Sequence, residues 1–304
     1  MAMERYLITG GTGRIGTAFV HEMAARGHAV RLGTRSPDGA GAQLRARFGP
    51  GLVEPVALPE DEPAALDAAF AGCTGALLVA PFGEMAKWHG VMADAAKRAG
   101  LAHIVKVSVT GARAPDSDPP PGLIPSMHWE GEEIVRATGI PWTVIRPTIF
   151  AQHFLGLSPT LFQRGDRHFH LPTGDAAVAW LDCRDIAACA AAILSSPARR
   201  EAFAGRAFEL TGPTSVTAAE IEQILSGVAG RPISHVDGME AFSSHAADLS
   251  VPDTIKGIYG EAAGGWFSEV HDGEFVEATG RHSTSFAKFA FDHQAWFAAI
   301  DSDS

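Results

Sequence analysis

The chain contains few cysteines and no apolar run of bilayer length. Only three of its 304 residues are cysteine, and Cys73, Cys183 and Cys189 form no close pair of the kind found in zinc or redox motifs. Sparse cysteine is typical of a reducing compartment. Residues 1–5 lack the basic and apolar regions of a signal peptide, and no apolar run is long enough to cross a bilayer. We therefore expect a cytoplasmic protein that contacts no membrane.

Positive charge is also scarce. The chain has 24 Lys and Arg against 35 Asp and Glu, which gives a formal net charge of −11, and no block of basic residues occurs. Nucleic acids and anionic membranes bind through clustered positive charge, so we expect neither as a partner. Hydrophobic residues make up 46% and charged residues 19%, an ordinary globular composition with enough apolar area for a large core.

In the first half of the chain, short β-branched runs alternate with Ala-rich segments of helical periodicity. This alternation predicts a parallel sheet covered by helices on both faces. The predicted strands are 5–9, 29–34, 52–58, 75–80, 103–109 and 142–146. The predicted helices are 14–26, 62–70, 84–99 and 127–137, the last with Ser126 as its N-cap. The proline-rich stretch 115–125 is predicted to be a loop.

After Phe150 the pattern is less regular. We predict helices over 183–195 and 217–228 and a strand over 206–210, whereas Ser234–Arg281 shows little pattern. No repeat and no low-complexity linker separates the two halves, so a second lobe should be interleaved with the first.

A glycine-rich turn follows the first predicted strand and opens the first helix. Its sequence is TGGTGRIG over residues 9–16, which satisfies both G-x-x-G-x-x-G and G-x-G-x-x-G. Glycines in this context allow a tight turn and a close approach of pyrophosphate to the helix N-terminus. The predicted dinucleotide-binding residues are Gly10, Thr12, Gly13, Arg14, Ile15 and Gly16.

The residues after the second strand point to the preferred dinucleotide. An acidic residue there would bind the ribose 2′-hydroxyl of NAD, but this chain has Thr34, Arg35 and Ser36. A guanidinium from Arg35, with Arg14 nearby in the turn, can pair with a 2′-phosphate. We therefore expect Arg35 and Ser36 to favour NADP(H), with NAD(H) possible. The alternative is that Arg35 is a solvated loop residue.

With these motifs the chain resembles the NmrA-like branch of the short-chain dehydrogenase/reductase superfamily. The resemblance also covers LLVAP at 77–81, VKVS at 105–108, TGIPWTVIRP at 138–147 and the blocks 182–187, 208–213 and 217–221. It implies an α/β fold: a Rossmann-type doubly wound parallel sheet with a smaller interleaved C-terminal substrate lobe. Residues 1–150, completed by about 178–212, would form the NAD(P)-binding domain. Residues 151–177 and 213–304 would form the substrate lobe.

The superfamily's catalytic Tyr and Lys are missing. Ile124 stands at the Tyr position and His128 at the Lys position, while the two tyrosines, Tyr6 and Tyr259, lie far away in sequence. Tyr-dependent alcohol dehydrogenation is therefore not expected. NmrA-like proteins that lack the pair include quinone and azo reductases, C=C or imine reductases, and cofactor sensors without turnover.

His128 and Ser108 are the candidate catalytic residues, and both are also expected to contact the cofactor. His128 has an ordinary pKa of about 6.5, which the helix N-terminus would lower and Glu132 would raise. It is placed to donate a proton near neutrality, unless it only contacts the nicotinamide ribose. Ser108 corresponds to the superfamily's polarising serine, and the alternative is a hydroxyl bonded to nearby backbone.

Other contacts follow from the resemblance. The cofactor is expected to meet Ala80, Pro81 and Phe82 after the fourth strand, and Pro147 and Ile149 at the sixth. The candidate substrate walls are aromatic, since flat ligands stack on aromatic faces, although each is also explained by packing. They are Phe150, Trp129, Trp180 and Trp266.

Two other chemistries have weak support. His168 and His170 form an H-x-H pair without a third metal ligand, so no metal is expected. Ser108, His128 and Asp185 lack a G-x-S-x-G elbow around the serine, which argues against a hydrolase.

The leading hypothesis is therefore an NADPH-dependent reductase of an aromatic or conjugated small molecule such as a quinone, enone, imine or azo compound, acting as a monomer or homodimer. One alternative is an NADP(H)-binding redox sensor without turnover. Another is a non-redox cyclase or isomerase that uses His128 and Glu132 as acid and base.

Overall fold

The computed structural model describes residues 3–81, 83–157, 160–248 and 253–299. The first half of the chain alternates strands and helices. In chain order these are β1 (Arg5–Ile8), α1 (Arg14–Ala25), β2 (Ala29–Gly33), α2 (Ala42–Phe48), β3 (Val53–Val56), α3 (Pro63–Phe70), β4 (Gly75–Leu78), α4 (Met85–Ala99), β5 (His103–Val107), α5 (Leu123–Arg136) and β6 (Trp142–Pro147).

The second half adds short strands and helices. They are β7 (His168–His170), α6 (Cys183–Leu194), α7 (Pro197–Ala202), β8 (Arg206–Leu210), α8 (Ala218–Ala229), β9 (Ser234–Val236), α9 (Met239–Asp248), α10 (Asp253–Ala263), α11 (Gly273–Thr279), α12 (Phe286–Asp292) and α13 (Gln294–Phe297).

The main sheet has seven strands in the order β3-β2-β1-β4-β5-β6-β8. The pairs β1–β2, β2–β3, β1–β4, β4–β5 and β5–β6 are all parallel. The strand order reverses between β1 and β4, and sheets of this kind bind ligands at the carboxyl ends of the strands beside such a reversal. The predicted α/β class with a Rossmann-type doubly wound parallel sheet is confirmed.

By internal contacts the chain divides into two compact units. Unit 1 comprises Met1–Pro147, Cys183–Glu209 and Glu277–Gly280. Its core joins the strands to α3 and α4 through side chains such as Leu7, Phe70 and Met92, and helix α6 packs against α1.

Unit 2 comprises Thr148–Asp182, Leu210–Val276 and Arg281–Ser304. It contains the two-stranded parallel sheet β7–β9. Its core is rich in aromatic side chains, including Phe154, Phe169, Trp180 and Phe286.

Helix α5 begins earlier than its sequence predicts. It starts at Leu123 with Gly122 as N-cap, so Pro125 lies within the first turn instead of ending the preceding loop. Proline is tolerated there because the first N–H groups of a helix have no intrahelical partner. Ser126 is not the N-cap, since its hydroxyl donates to the Gly122 carbonyl oxygen at 2.9 Å. The predicted helix start and N-cap are therefore wrong.

The little-patterned region 234–281 also contains more structure than its sequence indicates. It forms β9 and helices α9, α10 and α11. These elements are short, and short helices depend on tertiary packing more than on a clear sequence period.

Within the described ranges, no helix is long and apolar enough to cross a membrane. The same residues hold no group of three or more His, Cys, Asp or Glu side chains arranged to bind a metal ion.

Candidate active site

The glycine-rich turn connects the end of β1 to the start of α1. Gly10 has φ +62°, a conformation that favours glycine, and the Gly13 N–H donates to the Gly10 carbonyl oxygen at 2.9 Å. A Cβ on Gly16 would lie 2.5 Å from the Gly10 oxygen and the Gly11 Cα, so only glycine lets the helix approach the turn this closely. The helix begins after Gly13, and no side chain caps it. This backbone cradle fits a pyrophosphate at the helix N-terminus.

Hydrogen bonds join the turn to the neighbouring strand ends. The Gly11 N–H donates to the Gly33 carbonyl oxygen at 2.8 Å, which ties the turn to the end of β2. The Thr9 hydroxyl donates to the Val79 carbonyl oxygen at 3.0 Å and accepts from the Val79 N–H at 2.7 Å. Ala80 and Pro81 therefore follow directly beside the turn. Phe82 lies outside the described residues.

At the end of β2, the sequence-predicted specificity residues lie on the surface. The Thr12 and Thr34 hydroxyl oxygens are 3.3 Å apart, and the Ser36 N–H donates to the Thr34 hydroxyl at 3.2 Å. Arg35 is exposed, and among the described residues no carboxylate pairs with it. Arg14 is also exposed, beside the turn. Exposed guanidinium groups at Arg14 and Arg35 suit the 2′-phosphate of NADP(H).

A buried carboxylate connects α5 to two strands. The Glu132 side chain is fully buried, and its Oε1 accepts from the Ser108 hydroxyl at 2.5 Å and from Arg146 Nε at 3.0 Å. Its Oε2 accepts from Arg146 Nη2 at 2.7 Å and from Arg136 Nη2 at 2.8 Å. Ser108 directly follows β5, Arg146 lies on β6 and Arg136 on α5, so one carboxylate links three elements. Bidentate Arg–carboxylate pairing makes this link strong.

The Ser108 hydroxyl has a role that its sequence position does not reveal. Its only proton is donated to Glu132, and the side chain is buried. A hydroxyl has one donor proton, so Ser108 has none left to polarise a substrate oxygen. Contact with the cofactor through its acceptor lone pairs stays a prediction.

His128 lies in the second turn of α5, not the first, because the helix starts earlier than predicted. Burial, then the neighbouring Lys106 ammonium and His89, hold the pKa of His128 well below its ordinary 6.5. Glu132 does not raise it as expected, since that carboxylate is engaged by two arginines. The imidazole is therefore neutral near pH 7 and does not act as an imidazolium acid.

Lys106, which lies beside His128, is a candidate site residue that the sequence analysis does not identify. Its side chain is fully buried on β5, and its Nζ lies 3.5 Å from His128 Nδ1 and 3.3 Å from the Val107 carbonyl oxygen. Burial lowers the pKa of Lys106 to about 7, against the opposing effect of Glu132. The signal was available: a lysine at the centre of a buried parallel strand has no solvent to reach and is unusual.

The aromatic candidates lie in different surroundings. The guanidinium carbons of Arg136 and Arg146 lie 4.7 Å and 5.8 Å from the Trp129 ring centroid. Trp180 is enclosed in the core of unit 2, with its ring edge-on to Phe154, so it is a core side chain and not a substrate wall.

The remaining candidates lie around the end of β6 and in unit 2. Pro147 ends β6 and accepts a hydrogen bond from the Thr110 N–H at 2.9 Å. In unit 2, Ile149 is buried, and Phe150 is half-buried and stacks on His153 with ring centroids 6.4 Å apart. Trp266 is 48% exposed. Phe150 and Trp266 remain candidate aromatic faces of unit 2.

Comparison with known proteins identifies relatives over nearly the whole chain. A model of the NmrA-like family matches residues 3–256. An NAD(P)H azoreductase from Xenophilus azovorans is 32% identical over 300 residues, 96% of this chain and 99% of that protein. A (4-alkanoyl-5-oxo-2,5-dihydrofuran-3-yl)methyl phosphate reductase from Streptomyces griseus is 35% identical over 232 residues, 75% of this chain and 74% of that protein.

A similar solved structure is the NADPH-dependent quinone oxidoreductase from Escherichia coli in complex with NADPH. Its TM-score is 0.76 at 22% identity, with 95% of this chain and 99% of that chain covered. At this level of identity the similarity establishes a shared fold.

Gly13→Val should weaken NADPH binding by about 100-fold or more, because a branched side chain would occupy the space where the backbone of the turn approaches the pyrophosphate of the cofactor. The chain should stay folded. Titration by fluorescence or calorimetry measures the affinity, and circular dichroism checks the fold. Gly51→Val is the matched control, since a Cβ there meets nothing within 4 Å. Retained affinity in Gly13→Val would contradict the role of the turn.

Glu132→Gln should lower the free energy of unfolding by about 3 kcal/mol, because it leaves two half-buried guanidinium groups without their buried carboxylate. Glu133→Gln is the matched control: its side chain is 54% exposed and pairs with the same Arg136, so its loss should stay below about 1 kcal/mol. Urea unfolding of both variants makes the comparison. Equal losses would show that the buried carboxylate does not organise the site.

Proposed function

Because this chain belongs to the NmrA-like family, we propose that it is an NADPH-dependent reductase that transfers a hydride to an electron-poor, conjugated small molecule. It is an NAD(P)H-dependent oxidoreductase, in keeping with the azoreductase and the furanone phosphate reductase to which it is similar along most of its length. The choice of acceptor within this class rests on the chemistry of the site.

Arg35 is the observation that carries the cofactor assignment. It is exposed at the end of β2, where the turn is tied to that strand by the Gly11–Gly33 hydrogen bond, and no described carboxylate pairs with it. A guanidinium at this place suits the 2′-phosphate of NADP(H) and offers no acceptor to the 2′-hydroxyl of NAD(H). The Gly10–Gly16 turn would hold the pyrophosphate. When bound, NADPH supplies the hydride.

The weakness of the proton donor at the site indicates which class of hydride acceptor the protein can reduce. Ile124 stands where the superfamily has its catalytic Tyr, and the nearby His128 is neutral. Neither residue is therefore an effective general acid by itself. A quinone, enone, imine or azo compound delocalises the electrons it receives and needs less acid assistance than an isolated carbonyl group. We propose unit 2 as the substrate lobe, with Phe150 and Trp266 as aromatic faces for a flat acceptor.

Acid–base isomerisation by His128 and Glu132 has less support. Both Glu132 oxygens already accept hydrogen bonds, from Ser108, Arg146 and Arg136. A carboxylate held by two guanidinium groups is a poor base because protonation would break both ion pairs.

The compartment proposed for this chemistry is the cytoplasm. Cys73, Cys183 and Cys189 are all buried and form no disulfide, which suits a reducing environment.

The purified protein should consume NADPH when it is mixed with a quinone, an enone, an imine or an azo dye, and mass spectrometry should identify the reduced acceptor. Loss of NADPH absorbance gives the rate. Samples without acceptor measure the background oxidation of the cofactor. A protein that binds NADPH but consumes it with none of these acceptors would instead be a redox sensor, and the proposed function would be wrong.

Arg35→Asp should weaken NADPH binding by about 100-fold while changing NADH binding little, because it replaces the partner of the 2′-phosphate with a repelling charge. Arg45→Asp is the matched control, because it makes the same change at an exposed position of α2. Arg45 lies beside the amino ends of β1 and β2, whereas the glycine-rich turn lies at the carboxyl end of β1, so this variant should bind NADPH like the wild type. Calorimetric titration with both cofactors measures the two affinities. Equal losses for NADPH and NADH would contradict the assignment.

A further inference from the structure

We propose that Lys106 is the proton reservoir for reduction: it delivers a proton to His128 Nδ1 while the His128 Nε2–H is donated to the substrate. This inference rests on the proposed reductase function and adds to it the source of the proton. Lys106 acts through His128 and is therefore a positioning residue, not one that touches the substrate.

The geometry determines which nitrogen of His128 carries the proton. Lys106 Nζ lies 3.5 Å from His128 Nδ1. A lysine ammonium only donates, so Nδ1 accepts and the neutral ring carries its proton on Nε2. The side chain of Lys106 is fully buried on β5, so its ammonium does not reach solvent directly.

A neutral imidazole cannot protonate a substrate alone, because losing its only N–H proton would leave an imidazolate. Transfer from Lys106 removes this difficulty. The Lys106 N–H bond breaks as a new bond forms at His128 Nδ1, and the Nε2–H bond breaks as a bond forms at the substrate atom that has gained an electron pair. His128 ends neutral and Lys106 ends as an amine. A solvent proton then binds His128 Nε2 as the Nδ1 proton returns to Lys106, which restores the starting state of both side chains.

Every titratable group that faces Lys106 is consistent with this role. Helix α4 contributes His89, whose Nδ1 lies 2.7 Å from the Met85 carbonyl oxygen and whose Nε2 has no partner in the described part of the chain. Burial, with Lys106 second, lowers the pKa of His89 to about 3, so this ring stays neutral.

The remaining charges come from α5 and β6. Burial dominates and lowers the pKa of Lys106 to about 7, Glu132 opposes it, and Arg146 and Arg136 lower it further. The adjacent strand β4, of sequence GALL, has no titratable side chain. Most lysines hold their proton too tightly to release it near neutrality, and buried lysines are the documented exception. Lys106 can therefore exchange its proton in the pH range where the enzyme would work.

The test is Lys106→Met, with turnover measured against pH at saturating NADPH and an enone that does not titrate. In the wild type, kcat should fall as pH rises through about 7, because the ammonium form is the active one. The variant should lose about 10²-fold in kcat below that pH, with the pH-dependent fall gone and KM little changed. Lys97→Met, the same substitution at an exposed position of α4, should match the wild type.

A second readout does not depend on turnover. In nitrogen-15 NMR spectra of histidine-labelled wild-type protein, His128 should be neutral with its proton on Nε2. In Lys106→Met its pKa should rise, because the neighbouring positive charge is gone, whereas Lys97→Met should leave it unchanged. The wild-type lysine side-chain titration should show one group near pH 7, and this measurement needs no variant to fold.

The outcomes separate the two proposals. An active wild type together with a Lys106→Met variant that keeps its rate and pH profile would overturn the proton reservoir and leave the reductase assignment standing. A His128 ring that carries its proton on Nδ1 would overturn it as well. A wild type inactive with every acceptor would contradict the proposed function, and the NMR titration would still decide whether Lys106 donates to His128.

Discussion

The ion pairs and hydrogen bonds of the buried Glu132 carboxylate hold in place the elements that carry the candidate active-site residues. Its carboxylate accepts hydrogen bonds from Ser108 after β5, Arg146 on β6 and Arg136 on α5. An unpaired buried carboxylate would be costly, so these three elements are held together wherever the chain is folded. Because α5 is held in this way, His128, one turn before Glu132, lies against the buried amine of Lys106.

The same contacts limit what the site can do. The Ser108 hydroxyl donates its only proton to Glu132, and His128 is kept neutral by burial and by the nearby Lys106 ammonium. The protein thus provides a positioned but weak proton donor, and the cofactor provides the reducing power. Such a division suits acceptors that stabilise added electrons themselves. It also gives a physical reason why a chain without the superfamily's Tyr–Lys pair can remain a reductase.

The features visible in the sequence are those that depend on local constraints. The Gly10–Gly16 turn could be predicted because glycine permits the φ angle of Gly10 and the close helix approach at Gly16. The parallel strands could be predicted from short β-branched runs that alternate with helical segments. The start of α5 was misplaced because Pro125 is compatible with both a loop and a first helical turn. The roles of Glu132 and Lys106 depend on partners from other elements, Arg146 on β6 for Glu132 and His128 on α5 for Lys106, which no local pattern specifies.

The central claim is that this chain moves a hydride from NADPH to a conjugated acceptor. Reduction of an enone with NADPH deuterated at the reactive position of the nicotinamide tests it most directly. The account predicts one deuterium on the acceptor carbon of the product, located by mass spectrometry, and slower turnover than with ordinary NADPH. An unlabelled product, or cofactor that is bound but never consumed, would contradict it.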